Sequence, residues 1–332
     1  MKKLVLLLSC ILLLSGCAKS SEEKLIKKFE NDVNSSKSYS LNGSLEILND
    51  EDTFNYSVEV GYKKKDMYKV KLINTTNNHE QLIIKNNDGV YVITPSLNKS
   101  FKFQSEWPNN SSQAYILASI LSDLSNTENK NFTAEGDYLV VQSDVSYPNN
   151  PDLSYQKLFF DKDYNLKKNE VYNLDNKLRI RFVISNIDYK ANLDDNYFSV
   201  ENNVDANCCS KDKESAALDE IIYPLYIPSD TYLTAKETIS TDQGNRAILT
   251  FAGSKEFVLI EEPTIANQEF ETIPVYGDPI MMNGNIGALS GNSLYWTANN
   301  VDYYLAGSDL SSEELLSVAS SISTTLVTVA GK

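Results

Sequence analysis

Between Tyr39 and Lys85 the chain alternates apolar and polar residues with a period of two. Tyr39, Leu41, Gly43, Leu45 and Ile47 fall on one side of a first run, and Phe54 to Tyr62 repeats the pattern. That period belongs to strands with one buried and one wet face, so this stretch demands a sheet and excludes a helical bundle. Met67 to Ile73 and Gln81 to Lys85 continue it, Asn87-Asp88-Gly89 supplies a tight hairpin before Val90 to Thr94, and Phe101 and Phe103 mark a short strand after the Pro95 to Asn98 turn. A second set runs from Phe132 through Tyr138 to Val145, Tyr155 to Phe160, Leu166 to Asn173 and Lys177 to Tyr189, and Phe198 to Val200 closes the unit.

Two amphipathic segments are available to cover such a sheet. Within 22–34, Leu25, Ile26, Phe29 and Val33 recur at helical spacing, with Ser21 as N-cap and Glu22 and Glu23 in the first turn. After Trp107-Pro108, the stretch Ser111 to Leu124 places Tyr115, Ile116, Ile120, Leu121 and Leu124 along one helical face. The spacing therefore predicts a helix between the two sets of strands.

Residues 201–217 are polar and aperiodic and read as a linker. Beyond them, 218–332 reads as a small α+β domain. Tyr223 to Pro228 is extended, Ala247 to Phe251 and Glu256 to Glu261 are strands, and Gly277-Asp278-Pro279 is a turn. Leu289 to Thr297 and Val301 to Ala306 form a final pair around Asn299-Asn300, and a capping box at Ser311 or Ser312 opens the last helix. Gly284 to Gly291 lacks the lysine of a phosphate loop and reads as an ordinary loop.

The first seventeen residues fix the compartment. Lys2 and Lys3 precede an apolar run from Leu4 to Leu14 that is too short to span a bilayer, and Leu14-Ser15-Gly16-Cys17 resembles the lipobox of bacterial lipoprotein signals. That resemblance implies removal of 1–16, a diacylglycerol and acyl groups such as palmitate on Cys17, and a short tether over 17–21. Each buried methylene contributes ~0.8 kcal/mol and two chains suffice for stable anchoring. The expected location is extracytoplasmic, held to the cell membrane through Cys17.

With 45 acidic against 30 basic residues, the formal charge of −15 argues against nucleic acid, whose phosphates need a basic patch. Apart from Cys10 and Cys17, the cysteines are the adjacent pair Cys208-Cys209, which is read as free thiols, a strained bridge or an intermolecular bond. A single histidine, His79, and the lack of metal-ligand spacing leave no expected metal or cofactor. The acidic pairs Asp50-Glu51-Asp52, Asp194-Asp195 and Glu261-Glu262 read as solvated carboxylates of turns and strand ends, so no catalytic group is assigned and the chain is expected not to be an enzyme.

The element order over 22–200, Tyr39-Ser-Leu-Asn-Gly43, Asp88-Gly89-Val90-Tyr91 and the Trp107-Pro108 lead into a helix resemble the LolA/RseB-like lipoprotein-carrier family. The resemblance implies an α+β fold, an open antiparallel half-barrel with a helical lid, here followed by the small α+β domain. It also implies binding of an acyl chain or a lipidated envelope partner. The alternative is an RseB-like regulator, or a sporulation or germination scaffold, that docks proteins. The inner face of the sheet is either a packed core or a lipid cavity. In the second case Leu45, Phe54, Tyr56, Val58, Tyr68 and Val70 form its wall, and Trp107, Tyr115 and Ile116 form its lid.

Overall fold

A computed structural model describes residues 21–49, 53–204, 221–241, 244–264, 270–282, 284–298 and 300–322. Helix α1 (21–35) leads into the long strands β1 (Ser38–Leu48) and β2 (Thr53–Lys63). β3 (Met67–Asn74), β4 (Glu80–Asn86), β5 (Gly89–Thr94) and β6 (Lys99–Phe103) extend the meander, each antiparallel to the last. Helix α2 (Leu117–Asn126) intervenes, and β7 (Asn131–Glu135), β8 (Tyr138–Asp144), β9 (Leu153–Phe160), β10 (Leu166–Asn173) and β11 (Leu178–Asp188) build the second half. The halves join where β1 pairs antiparallel with β11.

A bulge at Asn42/Gly43 bends that junction, and a Cβ on Gly43 would sit 2.5 Å from the Val183 carbonyl and 2.7 Å from the Phe182 ring. Glycine is required there because Phe182 crosses β1 against the backbone. The concave face takes Leu25, Phe29 and Val33 of α1 and Leu117, Ile120 and Leu124 of α2, all buried, with Phe29 edge-on to Phe160 at 5.5 Å. The α+β open half-barrel with helical cover expected from the sequence is thus what forms.

β12 (Thr231–Thr241), β13 (Gly244–Gly253), β14 (Phe257–Pro263), β16 (Asp278–Met282), β17 (Asn285–Ser290), β18 (Ser293–Ala298) and β19 (Val301–Ala306) make a second, seven-stranded sheet. Helix α3 (Ser312–Ile322) covers it, burying Leu315, Val318, Ala319 and Ile322. Ser311 and Glu314 form the expected capping box, since each backbone N–H donates to the other's side chain, at 2.9 and 3.2 Å.

The two sheets are stitched together. β15 (Glu271–Val275) leaves the second sheet and pairs parallel with β6, becoming the outer strand of a twelve-stranded half-barrel sheet. Ile286 and Ala288 of β17 are buried in the half-barrel core, and the Ile286 N–H donates to Gln81 Oε1 at 2.8 Å. The Lys99 ammonium reaches across to Asp302 at 2.8 Å and to the Tyr295 hydroxyl at 3.0 Å.

Four expectations are corrected. The helix begins at Leu117, and Ser111 to Ile116 run without helical structure. Ser112 holds that stretch: its hydroxyl donates to Asp123 Oδ1 at 2.9 Å and accepts the Ser146 N–H at 2.7 Å, its own N–H donates to the Ser146 carbonyl at 2.7 Å, and the Gln113 N–H donates to Ser119 Oγ at 2.8 Å. Serine side chains that bond locally compete with the helix ladder. Gly284 to Gly291 is not a loop, because Asn285–Ser290 pairs on both sides as β17. Leu289 to Thr297 is not one strand, because Gly291 at φ +56° turns the chain between β17 and β18. Asp278 and Pro279 belong to β16 rather than a turn, which Gly277 at φ +152° makes. β12 was not anticipated at all, since it is exposed on both faces and carries no clean alternation.

Candidate functional site

A cavity of about 570 Å³ lies where the half-barrel meets the second sheet. Its size falls within the usual range for small-ligand sites, roughly 300–1,000 Å³. Leu45 and Ile47 of β1, Ile83 of β4 and Ile180 of β11 contribute the half-barrel wall. Trp107 and Tyr115, on the chain leading into α2, form a second wall, and Ile280 and Met281 of β16, Ile286 of β17 and Leu316 of α3 close the third. The rim is polar, with Asn49, Asn149, Asn150, Asp152, Arg179, Asp278 and Glu313.

The geometry follows from where strands end. β9 starts at Leu153 and β11 at Leu178, while β1 finishes at Leu48, so all three present the same end of the half-barrel to the cavity. The Trp107 to Tyr115 wall is fixed by polar bonds. Asp278 Oδ1 accepts from Ser105 Oγ at 2.6 Å and from Asn110 Nδ2 at 2.8 Å, which ties β16 to that wall. Asn169, fully buried on β10, donates to the Ala114 carbonyl at 3.2 Å and to Gln156 Oε1 at 2.9 Å. Gln156 in turn donates to Ser143 Oγ at 3.1 Å and reaches Asp123 Oδ2 at 3.4 Å. Burial lifts the Asp123 carboxyl to about 7, against the opposing pull of its Ser112 hydrogen bond. Desolvation likewise raises the Tyr115 hydroxyl above the ordinary tyrosine value.

Of the nine residues expected to form wall and lid, Leu45, Trp107 and Tyr115 line the cavity. Tyr56, Val58, Tyr68, Val70 and Ile116 are buried in the half-barrel core without lining it, and Phe54 packs partly buried against that core. Ile280, Met281 and Leu316 have no counterpart in the sequence expectation. The signal for Ile280 and Met281 was the unbroken apolar run Pro279-Ile280-Met281-Met282, which suits a strand covered on both faces better than a turn. Cys17, Asp50-Glu51-Asp52 and Cys208-Cys209 lie outside the described residues.

Glu261 and Glu262 are not solvated strand-end carboxylates. Glu262 forms a forked pair with Arg246 at 2.7 to 3.1 Å. Glu261 points into the core of the second sheet, fully buried, where it accepts the Ile222 N–H at 3.0 Å, and burial raises it to about 7. Asp195 is exposed and pairs with Lys63 at 2.7 Å. Among the described residues, no group of three or more His, Cys, Asp or Glu side chains is placed to hold a metal ion, and no helix is long and apolar enough to cross a membrane.

The family model described as "Sporulation protein YdcC-like" matches residues 1–198. Sporulation protein YdcC of Bacillus subtilis (strain 168) is 33% identical over 330 residues, 97% of each chain. Among solved structures, the crystal structure of MucB covers 92% of this chain and 96% of its own at 11% identity and a TM-score of 0.34. That of the LolA superfamily protein NE2245 from Nitrosomonas europaea covers 54% and 97% at 12% identity and a TM-score of 0.32.

Proposed function

This chain belongs to the YdcC-like sporulation protein family, and from that premise we propose that it is an extracytoplasmic, lipid-anchored binding protein whose cavity takes one acyl chain. The anchor is Cys17, supported by the lipobox-like Leu14-Ser15-Gly16-Cys17. The chain is built as two units joined by residues 201–217, and the acyl site is shared between them. It acts by binding and not by catalysis, in keeping with rim carboxylates already committed to the framework: Asp278 to Ser105 and Asn110, and Asp152 to Asn173 at 2.9 Å.

The observation that carries the proposal is the cavity itself, about 570 Å³ and walled by aliphatic and aromatic side chains from both units. Fluorescent fatty acid titrated into the chain is expected to bind saturably, and Leu316→Trp, which fills the cavity from the half-buried face of α3, is expected to weaken binding at least tenfold with the fold intact by circular dichroism. Unsaturable binding by the parent chain, or unchanged affinity in the variant, overturns it.

A protein-docking role is favoured by a separate observation. Tyr223, Leu225, Tyr226 and Ile227 are exposed, as are Tyr232, Leu233 and Ile239 of the edge strand β12, whose Lys236 ammonium lies 5.6 Å from the Tyr223 ring. Exposed large apolar side chains on and near an unpaired sheet edge suit an envelope protein partner.

A further inference from the structure

The described chain enters the half-barrel at the end opposite the cavity. The hydroxyl of Ser21, the first described residue, lies 3.2 Å from that of Tyr164, in the turn joining β9 to β10, and Lys28 donates to Asn165 in the same turn at 3.1 Å. From that turn β9 runs back from Phe160 to Leu153, where it reaches the cavity. Eight strand residues cover about 23 Å at ~3.3 Å per step. β11 repeats the measurement, since Ile180 lines the cavity while Asp188 pairs with Ser40 near the C-terminal end of α1. Only residues 18–20 separate Cys17 from Ser21, and four steps of chain reach at most ~14 Å.

We infer that the cavity is held at the membrane-distal end of the half-barrel, so that its acyl chain arrives on another extracytoplasmic molecule and not from the bilayer that anchors this chain. The inference rests on the proposed Cys17 anchor and acyl cavity, and adds the direction from which the ligand comes. The mouth agrees with it. Pro148 and Asn150, both exposed, and Asn149 form its rim in the loop between β8 and β9, at the end of the sheet farthest from Tyr164. A short tether keeps the Tyr164 turn beside the lipid headgroups, and the strand length then keeps the mouth away from them. Bilayer lipids would have to leave the membrane entirely to reach it, whereas an acylated peptide on the outer side meets no such barrier.

Two measurements on the full lipidated chain in vesicles test this. With Cys208 and Cys209 changed to serine, a donor dye is placed at Asp163→Cys or at Asn150→Cys, and acceptor dye is carried on lipid headgroups. Transfer from position 163 is expected to exceed that from position 150 several-fold; equal or reversed transfer overturns the inference. The same fluorescent acyl chain is then offered either as a bilayer phospholipid or on a soluble peptide. Saturable binding of the peptide-borne chain alone supports it. Equal uptake from the bilayer overturns the inference but leaves the acyl site standing, and no uptake from either source overturns the acyl site and the inference with it.

Discussion

Lys99 Nζ sits 2.8 Å from Asp302 Oδ2, an ion pair with both side chains largely buried between the half-barrel and the second sheet. Removing one partner of a buried pair strands the other charge in a poorly solvated site, which costs about 3–5 kcal/mol. Lys99→Met or Asp302→Leu alone is therefore expected to lower the melting temperature markedly, while the double variant recovers most of the loss. A single variant as stable as the parent in thermal denaturation would show the pair to be incidental.

Limited proteolysis is expected to cut within 201–217, yet the two fragments should elute together from a sizing column. β15 pairs with β6, Ile286 bonds to Gln81, and Lys99 bonds to Asp302, so the junction survives a nick. Separation should follow only in denaturant. Spontaneous separation under native conditions would mean that the units merely lie side by side.

Asp123 makes stability fall as pH rises. Its native carboxyl titrates at about 7 against an ordinary 3.8, because burial disfavours the charged form. A group whose folded value is raised contributes fully below the unfolded value, and the contribution is lost between about pH 4 and 7. Asp123→Asn should therefore match the parent near pH 4 and exceed it by about 2 kcal/mol at pH 8, after allowance for solvent screening. Glu261 titrates in the same window but is present in both proteins and cancels in the difference. Urea denaturation at both pH values measures it, and an asparagine variant weaker than the parent at pH 8 contradicts the assignment.

Cys17→Ser is expected to release the chain from the membrane fraction, since no helix among the described residues can span a bilayer. Retention after a high-salt wash would place the anchor elsewhere.

The half-barrel was legible because its information is local. Alternation along β1 to β3 sets which side is buried, and Gly89 at φ +144° and Asn176 at φ +60° make the turns that sequence signals mark. The capping box of α3 is equally local. What escaped was decided by partners far away in the chain. Ser112 leaves helical conformation for bonds to Asp123 and to Ser146, 34 residues on. β17 is a strand because Gln81, 205 residues earlier, and two flanking strands accept it. A third of the cavity wall comes from α3 and β16, so a reading of the half-barrel alone places the ligand too deep, among Tyr56, Val58, Tyr68 and Val70.

The pairing of Thr272 with Ser100 joins residues 172 positions apart. A chain made from its N-terminus exposes the outer edge of β6 throughout the synthesis of everything between, and an open edge invites pairing with the wrong strand. Contacts this distant also slow folding, because the intervening loop must close before they form. Completion of the first sheet is thus a late event, timed by the arrival of Glu271–Val275, and a chain cut short before that point would be left with an unfinished, adhesive sheet.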